Sequence, residues 1–223
     1  MKAFFVQMFL LVGLVSFAQE ETKTQDVAYT KTINQRAEKI VAVLNLKDSI
    51  KAKQVQSLIA KQYRDLNDIH SERDAKVKAV KASGSTKEKT EADRKIIEET
   101  AVAKLKVLHE MYLAKLATHL NKEQVTQVKD GMTYNVVPIT YKGYLDMIPT
   151  LTNEQKAQIM TWLVEAREYA MDAETSEKKH GWFGKYKGRI NNYLSAAGYD
   201  LKKEGDAWQK RLKEKEEKNT TKN

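Results

Sequence analysis

Apolar residues recur along this chain at intervals of three and four, the spacing that gathers side chains on one face of an α-helix. Ile97, Ala101, Leu105, Leu108, Tyr112 and Leu116 form one such row, and Val55, Leu58, Ile59, Leu66, Ile69, Val77 and Val80 form a looser one before it. Between Gln19 and Asp130 the only glycine is Gly84, and no proline occurs. A breaker-free stretch of that length, rich in Ala, Lys, Glu, Gln and Leu, predicts two long antiparallel helices, Lys47 to Ala82 and Thr86 to His119. Ser83-Gly84-Ser85 supplies the tip of the hairpin. A shorter helix from about Thr30 to Leu44 precedes it.

Past Gly131 the pattern changes. Gly131-Met132-Thr133-Tyr134-Asn135-Val136-Val137 lacks helical periodicity and reads as an extended loop crossing the core, and Pro138 and Pro149 bracket the segment after it. A long helix resumes at Asn153, with Ile159, Trp162, Leu163, Ala166, Tyr169 and Ala170 expected on its buried face. His180-Gly181-Trp182-Phe183-Gly184-Lys185-Tyr186-Lys187-Gly188-Arg189 is the most unusual run of the chain and forms a glycine-shaped bend if Trp182 and Phe183 plug the core; a helix starting near Lys185 runs to Ala197 and ends at Gly198 as its C-terminal cap. Trp208 and Leu212 mark a last helix, and the charged residues 213–223 are expected to be disordered. The fold class is therefore all-α: one helical domain over 19–212, with a long hairpin in 19–130 and an aromatic-rich helical half in 131–212.

Three helix starts look alike: Leu44-Asn45-Leu46-Lys47-Asp48, Leu120-Asn121-Lys122-Glu123-Gln124 and Leu151-Thr152-Asn153-Glu154-Gln155. They suggest capping boxes, in which the Asn or Thr side chain accepts from the backbone three residues on and the Gln side chain reaches back.

The N-terminus adds a compartment to this picture. Met1-Lys2 is followed by an apolar run to Phe17 and then by Ser16-Phe17-Ala18 ahead of Gln19-Glu20-Glu21, the pattern of a signal peptide cut after Ala18. The run is too short for a good membrane span, which needs about 20 apolar residues. The expected product begins at Gln19, is periplasmic or secreted, and has no membrane span. The full chain carries 39 basic and 30 acidic residues, net +9; the signal removes one lysine and no acid, leaving +8. Lys and Glu alternate through most of the chain instead of gathering basic charge on one face, which argues against nucleic acid as a partner. There is no cysteine, hence neither a disulfide framework nor a thiol nucleophile.

Candidate chemistry is sparse. His70, His109, His119 and His180 are the only histidines, and no two share the i,i+3 or i,i+4 spacing of a helical zinc site, so no metal is expected. The first three read as solvated or capping residues. No phosphate-binding glycine loop, dinucleotide fingerprint or nucleophile elbow is present, so neither cofactor nor catalytic residue is assigned. Glu165, Glu168 and Asp172 share a helix stripe that an exposed helix ordinarily keeps solvated or salt-bridged. The cluster around Trp182 is the candidate ligand site. Trp182, Phe183 and Tyr186 offer aromatic surface, Lys185, Arg189 and Asn192 offer polar groups, and Gly181, Gly184 and Gly188 would allow close approach. A helix starting near Lys185 places Lys185, Arg189 and Asn192 on one side and Tyr186, Ile190, Tyr193 and Ala197 on the buried one. Trp182 and Phe183 could equally plug the core.

Leu151-Thr152-x-x-Gln155 resembles the Leu-Thr-x-x-Gln signature of periplasmic helical proteins that include stress chaperones and metal-stress sensors; the copy at 120–124 has Asn121 in place of Thr, and the one at 44–48 lacks the Gln. A longer resemblance runs from about Ala37 to Arg211. Gly-Met-Thr-Tyr-Asn-Val-Val-Pro (131–138), Tyr144-x-x-Met147-Ile148-Pro149-x-Leu151-Thr152, Glu165-Ala166-Arg167-Glu168-Tyr169-Ala170-Met171-Asp172 and the block from His180 to Leu194 are similar to an uncharacterised family of secreted bacterial helical proteins labelled sugar-binding. That resemblance implies a carbohydrate-related role. Three functions are weighed from these features: a binding protein for a glycan, with lysines and arginine favouring an acidic one; a chaperone-like or envelope-stress protein; and a sugar-active enzyme using Lys185, Tyr186 and Arg189.

Overall fold

A computed structural model of the chain describes residues 6–220, and the side chains of residues 24–217. The described residues form eight helices and no strand: α1 (Val6–Ala42), α2 (Ser49–Ala82), α3 (Lys87–His119), α4 (Lys122–Met132), α5 (Val136–Met147), α6 (Asn153–Met171), α7 (Ser176–Ala196) and α8 (Leu201–Thr220). The all-α expectation holds, and the two long helices begin and end within two residues of the bounds their composition suggests. Of the expected signal segment 1–18, residues 1–5 lie outside the described residues and the backbone of the remainder belongs to α1. No helix among the described residues is long and apolar enough to cross a membrane.

The chain divides into two compact units, Met1–Asp65 and Leu66–Asn223, with the boundary inside α2. In the first, α1 and the start of α2 run antiparallel. The Tyr29 hydroxyl donates to the Tyr63 carbonyl at 2.9 Å, and Arg64 reaches Asp26 at 2.8 Å. Ile33, Ala37, Ile40 and Leu44 are buried at spacings of four, three and four. The cap of α2 is Asp48, whose carboxylate accepts from the backbone of Ile50 and Lys51. Asn45 sits in a left-handed conformation (φ 52°) and does not cap, so the first of the three similar helix starts is built differently from the other two.

In the second unit the turn at Gly84 (φ +71°) reverses the chain between α2 and α3, where left-handed backbone suits glycine. Lys104 of α3 bridges back to Glu72 of α2 at 2.6 Å. Thr86 caps α3, and complete capping boxes open α4 at Asn121/Gln124 and α6 at Thr152/Gln155. The core lies among α5, α6 and α7, with Tyr144, Ile148, Ile159, Leu163, Ala166, Ala170, Phe183, Tyr186, Ile190 and Leu194 packed together. The antiparallel α6–α7 pair is the most extensive packing in the unit, and α4, α5 and α8 flank it.

Three stretches differ from their sequence reading. Residues 131–137 are not an extended loop: α4 continues to Met132, and after a tight turn α5 begins at Val136. The turn uses consecutive left-handed residues, Tyr134 (φ 59°) and Asn135 (φ 55°), and Pro138 sits in the first turn of α5, where its missing N–H costs nothing. Residues 180–189 are not a bend, because α7 runs unbroken from Ser176 through all three glycines. Residues 213–220 are helical where charge alone suggests disorder. Lys213/Glu217 and Glu214/Lys218 stand four apart there, a spacing at which opposite charges support an isolated helix. Residues 221–223 of that tail lie outside the described residues.

Candidate functional site

The continuous α7 decides where each candidate side chain goes. Its buried face is Lys179, Phe183, Tyr186, Ile190 and Leu194, at steps of four, three, four and four. Phe183 is 1% exposed and Tyr186 6%, so both belong to the core and neither can meet a ligand from the surface, contrary to their place in the sequence-derived cluster. Burial, followed by the nearby Glu165, pushes the Tyr186 phenol up to about 12, which keeps it protonated and makes it a poor proton donor. Trp182 is half-buried, while Lys185, Arg189 and Asn192 are exposed on the outer face. A Cβ added at Gly181, Gly184 or Gly188 would have open space around it, so close approach does not require these glycines.

Trp182 stacks on Tyr169 of α6, with ring centres 4.5 Å apart and planes 17° from parallel. Tyr169 is 48% exposed instead of lying on the buried face of α6. The reason is geometric: Ile159, Leu163, Ala166 and Ala170 already fill that face, and Tyr169 falls on its shoulder. The Lys185 ammonium lies 5.1 Å from the Trp182 ring centre, a cation–π contact. This aromatic pair walls a groove of about 920 Å³ formed by α2, α3, the end of α6 and the start of α7. Val102 and Leu105 of α3 add apolar lining. Lys106, Glu110 and Lys185 line it as well, and none of the three has an ion-pair partner among the described residues.

The polar side of the groove is a network that sequence spacing did not reveal. His109 Nδ1 donates to Asp172 at 2.9 Å, and its Nε2 lies 3.4 Å from Glu168. Hydrogen bonds to Asp172 and then Glu168 raise the imidazole to about 9, so it is charged at neutral pH. Burial alone would push the Glu168 carboxyl up, but His109 and Lys129 outweigh it and hold it at about 2. Arg167, itself 5% exposed, pairs with Asp130 at 2.8 Å. His70 faces the backbone carbonyl of Asp172 with Nε2 at 2.8 Å, which assigns a proton to that nitrogen, while Nδ1 lies 3.0 Å from both the Arg73 guanidinium and the Glu174 carboxylate. Desolvation lowers its pKa, outweighing the hydrogen bond to Asp172, which raises it. The buried Lys179 donates to the carbonyls of Ala170 and Met171 at 2.8 and 3.0 Å and satisfies the C-terminus of α6. His70 and His109 are thus structural members of the groove instead of solvated residues. Their partners stand 102 and 63 positions away, beyond the reach of local sequence patterns.

The other end of the sequence-derived cluster lies outside the groove. The Arg189 guanidinium sits over the Trp162 ring at 4.5 Å and 3.7 Å from Glu165, and Trp162 meets Tyr193 edge-on at 5.3 Å. The structure therefore joins Trp182 and Lys185 in one place, puts Arg189 in a neighbouring one, and leaves Asn192 on the open flank of α7. His180 stacks on Tyr134 at 5.2 Å and is not among the residues lining the groove.

No group of three or more His, Asp or Glu side chains among the described residues is arranged to hold a metal ion. No curated protein matches the chain in sequence. Residues 30–214 match DUF3826, described as a protein of unknown function, and with most of its length covered the chain belongs to that family.

Proposed function

We propose that this is a carbohydrate-binding protein, exported and accessory to glycan use, whose ligand enters the groove beside Trp182. The observation that carries this reading is the Tyr169–Trp182 stack at the wall of a groove of about 920 Å³. Sugar rings present C–H faces to aromatic surfaces and hydroxyls to polar rims, and this groove offers both. Lys106 and Lys185 stand there without carboxylate partners, which favours an acidic sugar whose carboxylate would take that role. Glu168, held at about 2, stays ionised and so does not supply the protonated carboxyl that glycoside hydrolysis needs. The signal-peptide pattern and the likeness to a family labelled sugar-binding support the same reading.

A glycan array probed with the chain from Gln19 tests it. Binding to uronic-acid glycans, weakened at least fivefold by Lys106→Met together with Lys185→Met, is the expected result. No signal on any glycan would overturn the proposal.

A second reading has its own support. Ile96, Val107 and Met111 of α3 are 60%, 55% and 50% exposed and share one helix face with Ala92, Ala103 and Ala114. Such an apolar stripe could engage unfolded chains in the manner of an envelope-stress chaperone. Light scattering of a heat-denatured client is the discriminating assay, because suppression at equimolar protein belongs to this reading alone.

A further inference from the structure

The aromatic wall of the groove does not end at the groove. From Tyr169 and Trp182 it passes along the outer seam between the antiparallel α6 and α7. On α6 the seam carries Tyr169, Glu165 and Trp162, and on α7 it carries Trp182, Lys185 and Arg189. These side chains touch in sequence across the seam. Tyr169 stacks on Trp182, Lys185 lies over Trp182, Arg189 lies 3.7 Å from Glu165, and Arg189 covers Trp162. Glu165 and Arg189 have side chains 43% and 55% exposed, so the seam is open at its middle, while Trp162 and Trp182 are half-buried.

Trp162 and Tyr169 are seven positions apart, as are Trp182 and Arg189, so each rail spans about 10 Å at 1.5 Å per residue. Two aromatic platforms thus stand about 10 Å apart, with Glu165 and Lys185 between them and the Arg189 guanidinium lying over the Trp162 ring. One sugar ring covers one platform; a distance of this size is bridged by linked rings. A guanidinium lying over an aromatic ring presents a planar surface for stacking a sugar ring, and with the carboxylate beside it can bind the ring's hydroxyls.

We propose that the α6–α7 seam is a second subsite, centred on Trp162 and Arg189, and that the ligand is an oligosaccharide running out of the groove along it instead of a single sugar confined within it. This rests on the carbohydrate reading of the groove and adds chain length to it. Binding should strengthen with the number of linked rings until both platforms are filled, because a second stack joined to the first adds to the same association event.

The test is calorimetric titration with oligogalacturonides of one, two, four and six residues, and with cello-oligosaccharides of the same lengths as neutral counterparts. In whichever series binds, affinity should rise at least tenfold from the shortest binder to the hexamer. Trp162→Ala should cut that ratio to about twofold while leaving the shortest binder's affinity unchanged. Arg189→Gln, at an exposed position that keeps Trp162 in place, should lower the ratio in the same direction, so a Trp162→Ala variant that misfolds does not end the test. A hexamer no tighter than the shortest binder overturns the second subsite and leaves the groove proposal standing. Failure of both series to bind at millimolar concentration overturns the groove proposal and the subsite together.

Discussion

His109 should give the protein a stability that declines through the alkaline range. The imidazole ordinarily titrates near 6.5 and is raised here to about 9 by Asp172 and Glu168. A group whose folded-state pKa is raised contributes fully below its unfolded value, so its effect is complete below about pH 6.5 and is lost as the pH climbs through 9. At 1.36 kcal/mol per pH unit the difference is at most about 3 kcal/mol. The ring is 17% exposed and its two carboxylates are more open still, so solvent screening brings the expectation nearer 1–2 kcal/mol. For a chain of this size that is a fall of roughly 3–6 °C in thermal midpoint between pH 6.5 and 9.5. Thermal unfolding of the wild type and His109→Gln at half-unit pH steps reads it directly. The wild-type curve should slope downward where the variant's stays flatter, with the two converging by about pH 10. Parallel curves across the whole range would refute the assignment of a half-buried imidazolium between two carboxylates.

Further expectations follow from burial and from Glu168. Glu168 is held at about 2, so stability should also fall on acidification from about pH 4.5 towards 2, a loss that Glu168→Gln should reduce in an acid titration followed by circular dichroism. Phe183→Ala should cost about 3–5 kcal/mol in urea unfolding, as for a core aromatic, while Trp182→Ala should cost about 1 kcal/mol, the scale of one aromatic pair. Equal losses would mean that Trp182 is core. Gly184→Ala should stabilise the protein by about 0.5–1 kcal/mol, because an exposed mid-helix glycine with open space around it loses conformational freedom without return; a destabilised variant would show that the position needs glycine.

The helices were readable because their signals are local. Between Gln19 and Asp130 no proline and one glycine interrupt strong helix formers, and Thr152/Gln155 and Asn121/Gln124 announce helix starts within four residues. The break at Tyr134-Asn135 was hidden because it uses left-handed residues other than glycine, stabilised by the Asn135 N–H reaching the Asp130 carbonyl at 2.8 Å. Three glycines made 180–189 look like a bend, yet the row Lys179, Phe183, Tyr186, Ile190, Leu194 was present in the sequence and carried the right period. That row also separates Phe183 and Tyr186 from Trp182 and Lys185. The groove itself was not readable, since His70, His109, Glu168 and Asp172 converge from α2, α3 and α6 through contacts that have no spacing signature.

The central claim is that the surface beside Trp182 binds carbohydrate, and titration calorimetry of the wild type and Trp182→Ala against the strongest glycan of the array tests it most directly. Loss of an aromatic platform worth about 1–3 kcal/mol predicts an affinity about 5- to 150-fold weaker in a variant whose helicity is intact. A folded Trp182→Ala protein that binds the glycan as tightly as the wild type would contradict the account.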